Sequence, residues 1–405
     1  MSGPDAFQIA RKVTGRDISS ADAGRFFFGV FGGASGDPVD SGLVLVFKAP
    51  ASYTGEDVVE FQGHGGSVAP RRVLEACFAA GARLARRGEF TERAFLNGKL
   101  DLSAAEAVID LVDARTDRAA DDAQARLSGA LSERYETLYR DALDVSSRME
   151  YLLDVDENDI PPGTVETYRA DIQRLKERIR SLLSTAREGK ILRDGALVVL
   201  AGAPTAGKSS LMNALRGENR AIVSSVAGTT RDSIEEGLDV GGWPVRLVDT
   251  AGLRATEDEI EAEGVVRAGE LMSKADIVLA LDCDMPDAVK VHAKCDLDIV
   301  GAPRDIDAIC VSAKTGEGID TLKSVLAEKL AELSARSSEE VADVTARQTD
   351  LLSKALNALE AADPSDAVLA ANALSNAARA IGEITGKTYS DDLLTALFSR
   401  FCVGK

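Results

Sequence analysis

The segment GAPTAGKSS, residues 202 to 210, has the residue types and spacing of a loop that binds the phosphates of a nucleotide. It matches the pattern G-x-x-x-x-G-K-[ST], in which glycines let the backbone curl so that its N–H groups point at the phosphates. In this pattern Lys208 reaches the β and γ phosphates, and the Ser209 hydroxyl binds Mg²⁺. An apolar run before the loop and a helix-forming run after it provide the expected strand, loop and helix.

Two further motifs follow in the order that a GTPase requires. The segment AGTTRD offers Thr229 and Thr230, one of which can complete the Mg²⁺ shell when the γ phosphate is present. The segment DTAG follows a short apolar strand, so Asp249 can hold the metal through water and the Gly252 N–H can contact the γ phosphate. Each match is weak alone, and their order makes them a strong indication together.

Base recognition is expected from AKCD, residues 293 to 296, and SAK, residues 312 to 314. The Asp296 carboxylate can accept hydrogen bonds from the guanine amine and ring N–H, and the Ala313 N–H can donate to the guanine carbonyl. The first position of AKCD is usually Asn or Thr, whose side chain ties the base loop to the phosphate loop. Because Ala293 cannot make this tie, we expect guanine preference with reduced affinity.

The residue after DTAG is Leu253, where Ras-like enzymes have the glutamine that positions the attacking water. An apolar side chain cannot orient water. The acidic run ATEDEIEAEG, residues 255 to 264, lies just downstream, and one of its carboxylates could fold back to do so. The alternative reading of this run is a solvated helix start.

The elements that would position these motifs change in kind along the chain. Residues 1–97 mix short apolar runs with glycine-rich turns and a helix-forming stretch over 71–88, which indicates an α+β domain. Residues 98–190 and 340–405 have helical periodicity. Strands and helices alternate over 191–335, which predicts a parallel sheet covered by helices. The expected fold is multidomain, with an α/β phosphate-loop domain inserted into an all-α domain.

Composition excludes several classes of protein. The formal net charge is −19, which disfavours indiscriminate binding to nucleic acid or anionic membrane, although residues 1–97 carry equal numbers of acidic and basic side chains. The five cysteines include no CxxC pair, which disfavours a disulfide framework or a zinc site. The sequence has no apolar leader or bilayer-spanning run, and the ending FCVGK does not fit a prenylation signal. We therefore expect a soluble, cytoplasmic protein.

Longer signatures accompany the nucleotide motifs: YTGEDVVEFQGHGG, RRGEFTERAFLNGKLDLSAAEA, AGTTRDSIEE, DTAGLR with its acidic run, and the terminal FCVGK. With these signatures the chain resembles, over nearly its whole length, the MnmE or TrmE family of tRNA uridine-34 modification GTPases. The resemblance implies an N-terminal folate-binding and dimerisation domain, a helical domain and an inserted GTPase domain.

The resemblance also implies cofactors and partners. Members of this family form homodimers through their N-terminal domains and bind 5-formyltetrahydrofolate there. They bind GTP, Mg²⁺ and K⁺, and they act on tRNA in a heterotetramer with a flavin- and NADH-dependent partner, MnmG or GidA. Together the two proteins build an aminomethyl or carboxymethylaminomethyl group on C5 of the wobble uridine.

Carried over by motif, the resemblance assigns a role to particular residues. The catalytic glutamate falls on Glu261. The C-terminal tail places Cys402 near the folate pocket, and the alternative for Cys402 is a purely packing role. The folate contacts fall on Glu60, Lys99 and Lys405. The Mg²⁺ ligands are Ser209 and Thr230, and the K⁺ ligands are Thr205, Ser224, Val226 and Thr229. The GTP-binding residues are Thr205, Ala206, Gly207, Lys208, Ser209, Ser210, Ser224, Thr229, Thr230, Asp249, Thr250, Ala251, Gly252, Lys294, Asp296, Ser312, Ala313 and Lys314.

The chain departs from its relatives at two places. Thr205 stands where relatives have an asparagine that helps hold the potassium ion, and a hydroxyl is a weaker replacement for the amide oxygen. Relatives also begin earlier, with a strand and a folate-contacting arginine before the Ser-Gly-Pro that follows Met1 here. The expectation is that the natural polypeptide starts upstream, and that the 405-residue form dimerises and binds folate poorly because its sheet edge is unpaired.

Two other functions are compatible with the nucleotide motifs. A ribosome-assembly GTPase would have a basic RNA-binding domain after the GTPase domain, but the residues beyond 340 are helical and end in FCVGK. A nucleotide-binding scaffold with little turnover is suggested by Ala293, Thr205 and the missing start.

An RNA-binding surface is expected over residues 71–99, where basic side chains outnumber acidic ones in an otherwise acidic protein. The alternative is a solvated helix face with structural ion pairs. The basic residues are Arg71, Arg72, Arg83, Arg86, Arg87, Arg93 and Lys99.

Hydrolysis is predicted to need Glu261, because Leu253 cannot orient water. The substitution Glu261→Ala should leave GTP affinity near normal and lower the turnover number by about 10² to 10⁴, the range for a lost acid-base group. Single-turnover hydrolysis and nucleotide titration measure the two quantities separately. Unchanged turnover would remove Glu261 from the mechanism.

Overall fold

The structure, a computed structural model, describes residues 1–19, 23–33, 36–152, 161–217, 235–249, 269–297, 307–334 and 342–404. These residues fall into two units, Met1–Ile109 with Gly382–Lys405 and Asp110–Ile381. Two helices contain the positions at which the chain passes from one unit to the other, namely α4 (Leu102–Asp113) and α12 (Ala367–Thr385).

The first unit is built on a three-stranded antiparallel sheet in the order β1-β2-β3. Its strands are β1 (Arg25–Gly32), β2 (Pro38–Phe47) and β3 (Val58–Gln62). Its helices are α1 (Ala6–Thr14), α2 (Ala69–Ala80), α3 (Glu89–Leu96) and α13 (Asp391–Phe398). Strand alternation puts Val44, Val46 and Val59 on the face that packs against α1 and α2. This face and the two helices enclose the apolar core of the unit.

The opposite face of the same sheet is apolar and exposed. Phe26 and Phe28 are each 71% exposed, and their cross-strand partners are Leu45 and Leu43. Val30 continues the row along β1 and is also exposed. We call the face formed by these five residues the open sheet face.

Helix α2 is shorter than the sequence periodicity predicts. It ends at Ala80 because Gly81 adopts a φ of 118°, and the Gly81 N–H bonds back to the Phe78 carbonyl. Residues 82–86 are not helical, so the predicted helix over 71–88 is wrong in its second half. The extended path of this segment brings Arg83 beside Glu89.

The second unit combines helices with a six-stranded sheet in the order β5-β6-β4-β7-β8-β9. The β5–β6 pair is antiparallel and the other pairs are parallel. The strands are β4 (Ala196–Gly202), β5 (Glu235–Val240), β6 (Trp243–Asp249), β7 (Ile277–Leu281), β8 (Val289–Ala293) and β9 (Ile309–Val311).

Helices precede and follow this sheet along the chain. Before it come α5 (Asp117–Leu127), α6 (Ala130–Leu152), α7 (Thr164–Ser184) and α8 (Ala186–Asp194). Within and after it come α9 (Lys208–Arg216), α10 (Ile319–Leu333) and α11 (Ala346–Glu360). The predicted fold class is confirmed, and the domain bounds given above stay predictions. No helix among the described residues is long and apolar enough to cross a membrane.

Arg118 joins three elements of the second unit. Its guanidinium carbon lies 3.7 Å from the ring centroid of Trp243, at the turn between β5 and β6. The same guanidinium donates a hydrogen bond to Glu188 on α8, whose side chain is 1% exposed. Trp243 begins the strand that ends at Asp249, so Arg118 fixes the far end of the strand that carries the predicted metal-binding aspartate.

Replacing Arg118 should therefore loosen the packing of the β5–β6 turn on helices α5 and α8. The substitution Arg118→Ala should lower the free energy of unfolding by about 1 to 3 kcal/mol, because Glu188 loses its arginine and Trp243 its cation. Urea unfolding followed by circular dichroism measures the loss. Emission from Trp243, the single tryptophan of the chain, should also change.

Arg140→Ala is the matched control. Arg140 is 66% exposed and lies 3.6 Å from Glu136 on the surface of one helix, so its loss should cost below about 0.5 kcal/mol. Equal losses for the two variants would show that Arg118 is an ordinary surface arginine.

Candidate functional site

The phosphate loop connects the buried strand β4 to helix α9. Lys208 opens the helix, is 2% exposed, and its Nζ donates to the carbonyls of Gly202 and Ala203 at 2.9 and 2.8 Å. Ser209 lies one residue further, and its Oγ donates to Asp249 Oδ2 at 2.7 Å. The structure therefore brings together the lysine, serine and aspartate that the sequence predicted for phosphates and metal.

The register of the sheet produces this meeting. Strand β4 lies between β6 and β7, and Leu200 pairs with Asp249. Because parallel strands end at the same edge of a sheet, the last residue of β6 faces the loop that follows β4. Ser209 and Asp249 supply a hydroxyl and a carboxylate, the oxygen ligands that Mg²⁺ prefers. No larger cluster of three metal-ligating side chains exists in the part of the chain that the structure describes.

The base loop follows β8 and is linked to the phosphate loop by a lysine. Lys294, with a φ of 60°, turns so that its Nζ donates to the Thr205 carbonyl at 2.7 Å. Two residues on, the Asp296 carboxylate accepts a hydrogen bond from Ser312 Oγ at 2.7 Å. Ala293 closes β8 and is 8% exposed, so its methyl group is buried and offers no hydrogen bond to the phosphate loop.

The remaining predicted loop residues are close by in sequence and differ in exposure. Ala206 is 8% exposed, Ser210 is exposed, and Ser312 is fully buried. Ala313 and Lys314 follow β9 directly, in the loop that begins with Ser312. Several predicted residues lie outside the described residues, and their roles stay predictions: Ser224, Val226, Thr229, Thr230, Thr250, Ala251, Gly252, Glu261 and Lys405.

A cavity of about 830 Å³ lies in the first unit, between the core face of the sheet, helix α2 and the segment around residues 83–93. Val59 and Phe61 line it from β3, and Val403 and Gly404 line it from the C-terminal tail. Its volume is that of a site for an organic ligand of drug size. Sequence reasoning missed this cavity, although the GHGG and GEFTER signatures both contribute to its wall.

An ion-pair cluster forms one side of the cavity. The Glu89 side chain is 4% exposed and accepts hydrogen bonds from Arg83, from the Arg86 N–H and from Arg93. Arg83 first, and then these other donors, hold the pKa of the Glu89 carboxyl well below its usual range. Arg93 also donates to Glu56 at 2.8 Å, which ties α3 to the segment before β3.

The predicted folate contacts are not all at this cavity. Glu60 is exposed, on the side of β3 that shares the open sheet face. Lys99 is exposed, and its Nζ donates to the Pro50 carbonyl at 3.2 Å. Cys402 is exposed and next to the two tail residues that line the cavity, and its carbonyl accepts from the Gly88 N–H at 3.4 Å.

Most of the basic side chains predicted to contact RNA are held by carboxylates. Four arginines have acidic partners, in the pairs Arg71–Glu75, Arg83–Glu89, Arg86–Glu92 and Arg93–Glu56. Arg72 and Arg87 are exposed, and no carboxylate among the described residues lies within 4.0 Å of either. The positive charge of this region that has no carboxylate partner in the described part of the chain therefore lies on Arg72, Arg87 and Lys99, whose Nζ donates to a backbone carbonyl.

Comparison with known proteins identifies relatives along the whole chain. A family model described as "MnmE helical domain" matches residues 102–402, and one described as "GTP-binding protein TrmE N-terminus" matches residues 1–99. The chain is 41% identical over 437 residues to the tRNA modification GTPase MnmE of Geobacter sulfurreducens, covering 100% of this chain and 95% of that protein.

A corresponding protein of Thermus thermophilus is 42% identical over 418 residues, covering 100% of this chain and 94% of that protein. Among solved structures, the FeoB G-domain from Methanococcus jannaschii matches 33% of this chain and 97% of its own, at 22% identity and a TM-score of 0.26. That likeness is too weak to support an argument.

The base loop predicts how nucleotide affinity can be raised. The substitution Ala293→Asn should restore an amide that ties the base loop to the phosphate loop beside the Lys294 bond. One added hydrogen bond contributes about 1 kcal/mol, so GDP should bind about fivefold more tightly. Titration with a fluorescent GDP analogue measures the change.

The control is Ala293→Val, which adds bulk of a related size and no hydrogen-bonding group. It should leave affinity unchanged or reduce it. The interpretation of Ala293 as a missing tie is wrong if the valine variant gains as much affinity as the asparagine variant.

Proposed function

Because this chain belongs to the MnmE family of tRNA modification GTPases, we propose that it hydrolyses GTP to drive modification of C5 of the wobble uridine, position 34, in certain tRNAs. The observation that carries the proposal is the convergence of Lys208, Ser209 and Asp249 at the edge of a parallel sheet, next to a base loop with Asp296. Bound GTP would place its phosphates on the first group and its guanine on the second.

Mg²⁺ fits the hydroxyl and carboxylate that Ser209 and Asp249 present. We propose Thr230 as a further ligand. K⁺ is proposed at Thr205, Ser224, Val226 and Thr229, and the threonine at 205 makes this site weaker than one with an asparagine. Glu261 is the proposed residue that orients water for hydrolysis.

The one-carbon unit is proposed to come from 5-formyltetrahydrofolate bound by the first unit. The cavity supports this proposal because it is large enough for a heterocyclic ligand, with Val59, Phe61 and Val73 as apolar walls and Arg83 and Arg93 as polar groups. When bound, the folate would supply the carbon that is transferred. Lys405 and Cys402, from the tail, are proposed to lie next to it.

Against the poor dimerisation expected from the sequence, we propose that a second copy of the chain covers the open sheet face. Large exposed apolar surfaces on a protein mark interaction sites, and two phenylalanines at 71% exposure are costly to leave in water. The family forms homodimers through this part of the chain. Glu60 borders the same face, so its contact with folate would depend on the dimer.

The partners in the reaction are proposed to be tRNA and a flavin- and NADH-dependent protein of the MnmG or GidA type, in a heterotetramer. In this arrangement the flavin and the nicotinamide of the partner would supply the electron transfer. A GTP-binding scaffold with little turnover is the second candidate, and Ala293 and Thr205 are the observations that favour it.

The test of the function is mass analysis of the wobble uridine in tRNA from cells that lack this protein. The modified nucleoside should disappear and return when the wild-type chain is supplied. Lys208→Ala, which removes the phosphate-binding ammonium, should not restore it. Unaltered nucleosides in the deleted strain would contradict the proposed function, and full rescue by Glu261→Ala, which should bind GTP but turn it over slowly, would favour the scaffold.

Dimer formation should depend on the open sheet face. The substitution Phe28→Asp would bury a carboxylate in the interface and should shift the protein from dimer to monomer, with a loss of at least about 10²-fold in dimer affinity. Sedimentation at several concentrations measures the change. Tyr151→Asp, at an exposed aromatic residue of the second unit, should have no effect. A dimer that survives Phe28→Asp would place the interface elsewhere.

Contact with tRNA should depend on the two arginines that have no carboxylate partner. Replacing Arg72 and Arg87 by Glu should weaken binding and reduce the slope of log K against log salt by about 2. Replacing Arg71 and Arg86, which have acidic partners, is the control and should change the slope less. Superimposable binding curves for all variants at every salt concentration would show that the whole region is structural.

A further inference from the structure

An aspartate and a histidine form a rigid pair at the cavity of the first unit. Asp40 is on β2, and its Oδ1 lies 2.7 Å from His64 Nδ1. Its other oxygen, Oδ2, accepts the backbone N–H of His64 at 2.9 Å. One carboxylate therefore fixes both the ring and the main chain of the same residue. Both residues line the cavity.

The approach of the carboxylate requires glycine at position 63. A Cβ atom there would lie 2.2 Å from Asp40 Oδ2, a distance that Cβ atoms do not adopt, and 3.3 Å from the Phe31 ring. Gly63 thus leaves room for the Asp40 carboxylate against the backbone of β3. The signature FQGHGG places the histidine directly after this glycine.

The geometry determines which ring nitrogen is available. An ionised carboxylate only accepts hydrogen bonds, so Nδ1 of His64 carries the proton that it donates to Asp40. The neutral ring then presents Nε2 as a lone pair. The imidazole holds the pKa of the Asp40 carboxyl below its usual value, so Asp40 stays ionised through the physiological range.

Exposure separates the two members of the pair. The Asp40 side chain is 7% exposed and the His64 side chain is 76% exposed. A histidine with only a packing role would have a buried ring. Here the Asp40 carboxylate is buried and the His64 ring is exposed to solvent. A buried carboxylate that orients an accessible imidazole is the arrangement of a general acid-base pair.

We propose that His64 is the proton-transfer residue of this cavity and that Asp40 is its positioning residue. The inference rests on the proposed function, since a ligand that gives up a carbon bound to nitrogen needs a proton at that nitrogen. His64 Nε2, a lone pair in the neutral ring, would first take a proton from solvent and then donate it to that nitrogen as the bond from nitrogen to the transferred carbon breaks. The other ionisable groups that line the cavity are the Met1 amine, Asp5, Cys77, Arg83, Glu89 and Arg93.

The chain makes the spectroscopic test direct because it has two histidines, His64 and His292. Full-length protein labelled with ¹⁵N in histidine should show the His64 ring with its proton on Nδ1 and a free Nε2. Asp40→Asn should convert that signal to the tautomer mixture of a free imidazole. The substitution His292→Asn assigns the two signals. A His64 ring protonated on Nε2 in the neutral form would overturn the proposal.

Function is tested with two substitutions of His64. His64→Asn keeps an N–H near the position of Nδ1 for Asp40 but has no nitrogen at Nε2, and His64→Ala removes the ring. Both should lower the rate at which the purified protein with its partner modifies the wobble uridine by about 10² to 10⁴. The unfolding temperature should stay that of the wild type, and the GTP hydrolysis rate should stay within about twofold of it. The reason is that His64 is remote in sequence from the phosphate loop.

Two further readouts distinguish proton transfer from a structural role. Added imidazole should partly restore the reaction of the purified His64→Ala protein with its partner and should not restore His64→Asn, which leaves no space for the ring. His292→Asn, at the histidine paired with Asp282 at 2.8 Å, should modify tRNA normally. Full activity of His64→Asn would overturn the proposal. If the wild-type protein itself does not modify the wobble uridine in this assay, the proposed function is wrong.

Discussion

The nucleotide site depends on strand β4 being paired on both sides. Residues Ala196 to Leu200 pair in parallel with β6, and Val198 to Gly202 pair in parallel with β7. A strand paired on both edges cannot slip without breaking the hydrogen bonds to both neighbours, so its register is fixed. The loop after Gly202 therefore starts from a fixed point, and Ser209 meets Asp249 as a consequence.

The first unit uses the two faces of one sheet for different purposes. The helix-facing side of β2 and β3 forms a core and, beyond it, the cavity with Asp40 and His64. The other side exposes Phe26 and Phe28 and is the surface that we propose a second copy covers. Because side chains alternate along a strand, neighbouring residues such as Val59 and Glu60 serve different sides. The residues that the family resemblance assigns to one folate site can thus lie partly at the cavity and partly at the proposed dimer interface.

Charge in this protein is largely organised in pairs. The buried Glu89 carboxylate is paired with Arg83 and Arg93. Arg118 is fixed between a carboxylate and an aromatic ring. Paired charges of this kind specify geometry more than they add stability, because desolvation offsets much of the Coulomb attraction. The arginines that an RNA could attract are then the few without a carboxylate nearby. The excess of basic over acidic residues in 71–99 therefore overestimates the positive charge that is available to bind RNA.

The sequence by itself determined the class of fold and located the phosphate loop and the base loop along the chain. These follow from local rules, namely periodicity, glycine spacing and the identity of a few polar residues. It did not determine where α2 ends, since the positive φ of Gly81 depends on the backbone around it.

Only the tertiary structure decided which arginines are paired, on which side of the sheet Glu60 lies, and that Asp40 meets His64. Asp40 is on β2, and His64 lies two residues after the end of β3, 24 positions away. They meet because β2 and β3 are antiparallel and Gly63 has no side chain. Contacts between strands are set by register and packing, which no local pattern of residues encodes.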